Sequence, residues 1–299
     1  MNGSDFGLPD RRAQFEQLLG ELRPKLHRHC ARMVGSVIDG EDVVQESLVK
    51  ATEALSQAPA IASLDGWLFR IAHNTALDWL RRKQRQQNFG GEEDMAMIAD
   101  PIDRLHQRQA AAASLRTFMR LSVAQRSSVV LMDVLGYSLD EVGEITGGSI
   151  GAVKAALHRG RERLRTISAE PDDASPPALS EAERQRLSIY VDRFNARDFD
   201  AVRDMLADDV RLELVSKTRM TGRKEVSRYF GNYANVYDWY LQPGLVDRRP
   251  AIVVSDPGDG LGDPTYFVLL RWAEERIIEI RDFRHARYAI EAAETIADV

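Results

Sequence analysis

The sequence predicts a multidomain chain: an all-α N-terminal half of two helical domains, the second a helix-turn-helix, followed by a separate α+β domain. Three observations predict it. From residue 15 to residue 167 apolar side chains recur at helical spacing, with no strand-like alternation among them. A proline- and acid-rich stretch at 170–177 then breaks the pattern, and beyond it short alternating runs appear. The charge changes at the same place. Up to Ser168 there are 22 Lys and Arg against 21 Asp and Glu, leaving 18 against 25 beyond. The overall net charge of −6 therefore belongs to the second half, and the first is balanced with local basic clusters.

In chain order, the first eight residues carry no periodic pattern. Phe15, Leu18, Leu19, Leu22 and Leu26 form an amphipathic stripe, with Pro24 expected to kink or split the helix. A second helical segment is expected over 30–37, ended by Asp39-Gly40, and Asp39 is expected to cap a helix over 41–55. That helix has two faces, Val44, Leu48, Ala51 and Leu55 on one and Asp42, Gln45, Glu46 and Val49 on the other. By periodicity alone the second face reads as solvated.

A further helix is expected over 63–85, with Leu68, Ile71, Ala72, Thr75 and Trp79 on its apolar side and Arg81, Arg82, Lys83 and Arg85 at its basic end. Its centre, His73, Asn74 and Thr75 flanked by Trp67 and Trp79, suits an unstacked base, or else only breaks the helix. Residues 88–101 read as a connection and 102–121 as helix.

The next stretch organises the half. Ser122-Val-Ala-Gln125 and Ser138-Leu-Asp-Glu141 are capping boxes, Gly147-Gly148 ends a short helix, and Ser149 caps a longer one. Short helix, glycine turn and longer helix is the layout of a helix-turn-helix. On the last helix Val153, Leu157, Gly160, Leu164 and Ile167 form a packing stripe. Lys154, His158, Arg161 and Arg165 form a basic stripe about a quarter-turn away, suited to DNA phosphates.

Beyond the linker, Ser180-Glu-Ala-Glu183 is a third capping box and opens a helix to about 196. Helices over 199–206 and 223–233 and strands over 210–215, 245–247, 251–254, 266–273 and 276–285 are expected, the last two joined by a turn at Glu274-Glu275. Asp282 and His285 have opposite strand parity, which argues against an acid–base pair. Asp238, Tyr240 and Trp272 read as pocket lining or, more simply, as core. No catalytic residue, cofactor or metal ligand is assigned.

Three blocks in this order resemble the extracytoplasmic-function (ECF) sigma factors of bacterial RNA polymerase: Asp39-Gly-Glu-Asp-Val-Val-Gln-Glu-Ser47, Leu64-Asp-Gly-Trp-Leu-Phe-Arg-Ile-Ala-His-Asn-Thr-Ala76 with its basic end, and the helix-turn-helix. The resemblance implies sigma region 2 over 10–87, a linker over 88–112, region 4 over 113–169 and a linker over 170–178. It implies that Asp42, Gln45 and Glu46 dock on the clamp helices of the polymerase large subunit. Asn74 then lies on a loop receiving a flipped base of the −10 element, and Arg81, Arg82, Lys83 and Arg85 hold DNA backbone. Lys154, His158 and Arg159 then face the −35 element, where Ala155 and Ala156 replace the polar residues frequent in the family.

The order of elements over 179–299, with Gly244-Leu-Val-Asp-Arg-Arg-Pro250, resembles the SnoaL-like branch of the NTF2-like fold. That likeness implies a regulatory domain with a small-molecule or protein ligand. The expected function is transcription initiation at specific promoters with core RNA polymerase and promoter DNA as partners, without enzymatic activity, under control of the fused domain. The alternatives are a stand-alone helix-turn-helix regulator, and an NTF2-like isomerase or hydrolase fused to a DNA-binding module. The lone cysteine, Cys30, and the lack of a signal pattern or long apolar run predict a cytoplasmic protein with no membrane partner.

Overall fold

The computed structural model describes residues 8–55, 63–87, 110, 113–170, 177–231, 233, 239–255 and 263–297, with side chains from 18 onward. The chain divides into two compact units, Met1–Asp172 and Asp173–Val299. Each has its own apolar core.

The first unit begins with α1 (Leu8–Val34), α2 (Val37–Leu55) and α3 (Leu64–Gln87), which pack on one another. Pro24 lies inside α1 and neither splits it nor starts a new helix. The segment expected over 30–37 is instead shared between the end of α1 and the start of α2. The cap of α2 is Ser36, whose Oγ accepts from the N–H groups of Ile38 and Asp39 at 3.2 and 3.3 Å. Asp39 and Gly40 therefore stand inside the helix rather than before it. Gly40 is there for proximity: a Cβ at this position would meet the Ala31 backbone at 2.6–2.7 Å, so only glycine lets α1 and α2 approach this closely.

The described residues of the unit also form α4 (Leu115–Met119), α5 (Val123–Val129), α6 (Leu139–Thr146) and α7 (Ile150–Ser168). Both capping boxes are formed, Ser122 with Gln125 and Ser138 with Glu141. Between α5 and α6 the chain makes a π turn, Val130–Val134. Gly147 ends α6 at φ 73°, a left-handed conformation glycine adopts without strain, and Ser149 caps α7. The connection over 88–101 and most of the helix expected over 102–121 lie outside the described residues.

The two helical domains expected at 10–87 and 113–169 share a single core, in which Leu26, Met33, Phe69 and Leu68 join Phe118, Val129 and Leu131. Polar pins reinforce it. Tyr137 Oη donates to Asp65. Arg126 is buried, donating to the carbonyls of Phe118 (2.9 Å), Leu121 (3.0 Å) and Met33.

The second unit opens with α8 (Glu181–Asn195), capped by Ser180 and Glu183, then α9 (Phe199–Asp204) and, after two strands, α10 (Arg223–Gly231). Among the described residues its sheet has seven strands: β1 (Leu206–Leu214), β2 (Thr218–Thr221), β3 (Tyr240–Val246), β4 (Arg249–Ser255), β5 (Tyr266–Ala273), β6 (Arg276–Asp282) and β7 (Thr295–Ala297). Their order is β2-β1-β6-β5-β4-β3-β7. All neighbours are antiparallel except β1 and β6. One face carries Leu212, Ile252, Val254, Val268 and Ile280 against Tyr190, Phe194, Val226 and Phe230 of the helices. This is the expected α+β arrangement, with β2 and β7 added at the edges.

Candidate functional site

The outward face of α2 survives folding. Val43, Val44, Ser47 and Ala51 turn into the core. On the other side Asp42 is exposed, Gln45 and Glu46 are half-buried, and Val49 leaves 58 % of its surface in solvent. An acidic-polar helix face with an exposed aliphatic at its centre is not what bundle packing requires. It suits a protein partner with cations around an apolar spot.

Glu46 is not isolated on that face. Its Oε2 accepts from Arg82 Nη2 at 2.8 Å and its Oε1 from Lys50 Nζ at 2.8 Å. These hydrogen bonds, Arg82's above all, hold its carboxyl below the usual carboxylate range. Lys50 Nζ reaches on to Thr75 Oγ1 at 3.3 Å. Nearby, Lys83 Nζ lies 3.8 Å from Asp39 and 4.5 Å above the Trp79 ring. Arg81 pairs with Asp78 at 3.2 Å, and Arg85 Nε donates to the Arg81 carbonyl at 3.3 Å. Arg81, Arg82 and Arg85 are exposed, and Lys83 is half-buried. Lys50 meets Glu46 one turn along α2, a spacing the sequence carries, whereas Asp39 and Thr75 join the network only across two helices.

Asn74 stands in the middle of α3, exposed, and not on a loop. The helix runs through the polar centre without a break. His73 and Thr75 do not flank a pocket with it: successive residues diverge by about 100° on a helix, so both are turned inward. Thr75 Oγ1 donates to the Ile71 carbonyl at 2.9 Å. His73 lies 5.8 Å from His29 between ring centroids. Among the described residues, neither ring nitrogen of His29, nor Nδ1 of His73, has a hydrogen-bond partner. Burial pushes His73 down to about 4 and His29 well below the usual imidazole range.

On α7, Lys154 is exposed, His158 is half-buried, and Arg165 is exposed and paired with Glu162 at 2.6 Å. Ala155 and Ala156 are buried. Arg159 is half-buried, with Nε and Nη1 enclosed and, among the described residues, without a hydrogen-bond partner. It lines a groove of about 850 Å³ between α3, α5 and α7, together with Leu77, Arg81 and Ala156.

Arg161 leaves the basic stripe altogether. Its guanidinium binds Asp133 in a two-pronged pair, Nε to Oδ2 at 2.9 Å and Nη2 to Oδ1 at 2.6 Å. The two side chains retain 7 % and 0 % exposure. By the helical angle Arg161 lies only about 40° from Leu157, at the edge of the packing stripe, and the π turn brings Asp133 to meet it. Arg161 is therefore a core ion pair and not a phosphate contact in this structure.

In the second unit Asp282, with no exposure, ends β6 facing inward, while His285 is exposed on the surface. Asp282 accepts from Tyr229 Oη, from Tyr233 Oη at 3.2 Å and from the Arg284 N–H at 2.7 Å. Desolvation raises its carboxyl above the usual range despite these bonds. The polar convergence that a catalytic reading needs is thus present as a sealed network, with each oxygen already hydrogen-bonded inside the fold. Trp272 packs against the core, Tyr240 is 45 % exposed, and Asp238 lies outside the described residues. Among the described residues there is no group of three potential metal-ligating side chains, and no helix long and apolar enough to cross a membrane.

Both halves of the first unit are similar to known proteins. Sigma-70 region 2 matches residues 18–86, and Sigma-70, region 4 matches residues 114–164. The ECF RNA polymerase sigma factor SigG of Mycobacterium tuberculosis is 32% identical over 231 residues, 69% of this chain and 62% of SigG. The chain thus spans less than two thirds of that relative. SigW of Bacillus subtilis, also an ECF RNA polymerase sigma factor, is 30% identical over 162 residues, 50% of this chain and 87% of SigW. Among solved structures, that of the M. tuberculosis extracytoplasmic function sigma factor SigJ covers 90% of this chain and 95% of its own, at 20% identity and a TM-score of 0.34.

Proposed function

The chain belongs to the ECF RNA polymerase sigma factor family, and on that premise we propose that it directs core RNA polymerase to specific promoters, under the control of its own second unit. The α2 face of Asp42, Gln45, Glu46 and Val49 docks on the clamp helices of the polymerase large subunit. Exposed Asn74 reads a base flipped from the −10 element. Arg81, Arg82, Lys83 and Arg85 hold the adjacent backbone. Lys154, His158 and Arg159 face the −35 element, and Arg165 contributes a phosphate contact there. For Arg159 this requires its enclosed guanidinium to turn out of the groove beside α3, so −35 binding calls for movement of the helix-turn-helix relative to α3.

The observation that carries the reading is the α2 face, an acidic surface with an exposed valine on the same bundle that presents Asn74 and the basic end of α3. A stand-alone regulator has no use for it. The domains assigned are region 2 over 10–87, region 4 over 113–169 and the regulatory domain over 179–299. We assign no reaction to the second unit, because the bonds of Asp282 close within the fold.

Asp42→Ala combined with Gln45→Ala tests the docking face with Glu46 and Arg82 left in place. Both positions lie off the buried stripe, so folding stability should move by less than about 0.5 kcal/mol. Affinity for core polymerase, read by surface binding, should fall at least about tenfold. Wild-type affinity in the double variant would remove the polymerase reading. With the second unit regulatory, a chain ending at Glu170 transcribes at a yield different from that of the full chain.

A further inference from the structure

The carboxylate of Glu46 joins the two surfaces assigned above. Glu46 belongs to the docking face, yet its Oε2 holds Arg82 at 2.8 Å and its Oε1 lies 3.4 Å from the second nitrogen of the same guanidinium. Arg82 is one of the cations assigned to promoter backbone. A two-pronged carboxylate occupies the same donor fork that a phosphate would take. While the pair is closed, Arg82 is partly neutralised before DNA arrives.

We propose that Glu46 is an exchangeable counter-ion: it holds Arg82 in the free protein and gives it up when polymerase engages the α2 face. The inference rests on the functional reading above, for both surfaces. Lys50 makes the exchange feasible. It stays on Glu46 Oε1 at 2.8 Å and is steadied by Thr75, so the carboxylate does not lose all compensation when Arg82 leaves. The pair is also soft enough to switch, because its partners keep 48 % and 33 % exposure and are partly screened. By linkage, whatever polymerase takes from the pair, promoter backbone gains, and the reverse holds equally. Free protein then binds DNA weakly, and docked protein binds it better, without any change of fold.

The test is a double-mutant cycle on the full chain without polymerase, read by fluorescence anisotropy on a labelled single-stranded oligonucleotide at several salt concentrations. Glu46→Gln removes the charge while keeping the shape. It should tighten binding about 2- to 4-fold, the scale of one exposed ion pair, and steepen the salt dependence by about one phosphate contact. Arg82→Gln should weaken binding by a similar factor. In the Arg82→Gln background, Glu46→Gln should then have almost no effect. Equal tightening by Glu46→Gln with and without Arg82 would reveal a general charge effect and overturn the exchange. Weakening by Arg82→Gln with no response to Glu46→Gln would overturn it too, leaving the DNA role of Arg82 intact. No effect of Arg82→Gln would instead overturn the assignment of that residue to DNA, and the exchange with it.

Discussion

Arg161→Ala is expected to lower the stability of the first unit by about 3–5 kcal/mol, a large part of the stability of an ordinary domain. The substitution leaves the Asp133 carboxylate buried with its guanidinium gone, and an uncompensated buried charge is far more costly than the pair itself is favourable. Asp133→Ala should do the same from the other side. Replacing both with leucine should recover most of the loss, because the desolvation of two charges disappears with their attraction. Urea denaturation followed by helical circular dichroism checks all three variants. Where Arg161→Ala remains folded, its affinity for duplex DNA should keep the wild-type salt slope. A slope flatter by one phosphate contact, with unchanged stability, would return Arg161 to the DNA surface.

Acidification should unfold the first unit through its two histidines. His73 titrates near 4 in the folded chain and His29 well below its usual range, against about 6.5 unfolded. Between these values the unfolded state binds more protons, so stability rises with pH and is lost as pH falls from about 6.5 towards 4. For His73 alone the loss from pH 7 to pH 5 is about 2 kcal/mol. His73→Leu should flatten that part of the profile, whatever its effect on stability at neutral pH. Asp282 acts in the opposite sense in the second unit. Its raised pKa means that the folded state takes up a proton first, so its contribution is largest in acid and declines as pH rises through the folded value. Trp67 and Trp79 report the first unit, and Trp239 and Trp272 the second. A pH profile for Trp67 and Trp79 that His73→Leu leaves unchanged would contradict this account.

How much of this was legible in the sequence depended on range. The three capping boxes and the Gly147 turn were legible because each is decided within four residues. Ser36 was missed as the cap of α2 because Asp39 is an equally good capping residue three positions later. Gly40 read as a terminator, since its contact with Ala31 depends on a second helix. Arg161 read as surface because its angle put it with Lys154, and only the fold supplies Asp133. In the second unit, Pro243 and Gly244 hid the first half of β3, where strand patterns rarely carry both. The edge strand β2 is almost wholly exposed and has no alternation to detect. The candidate site was half legible. The motifs located the α2 face, Asn74 and the basic end of α3. The Glu46–Arg82 link between them requires two helices to be placed side by side.

The proposed role is to make core polymerase initiate at promoters. Run-off transcription tests it most directly, with purified bacterial core polymerase, the full chain and a library of promoter fragments. Discrete transcripts should appear only when the chain is present, and Asp42→Ala with Gln45→Ala should abolish them. A chain that binds promoter fragments by itself, and yields no transcript with core polymerase on any of them, would contradict it.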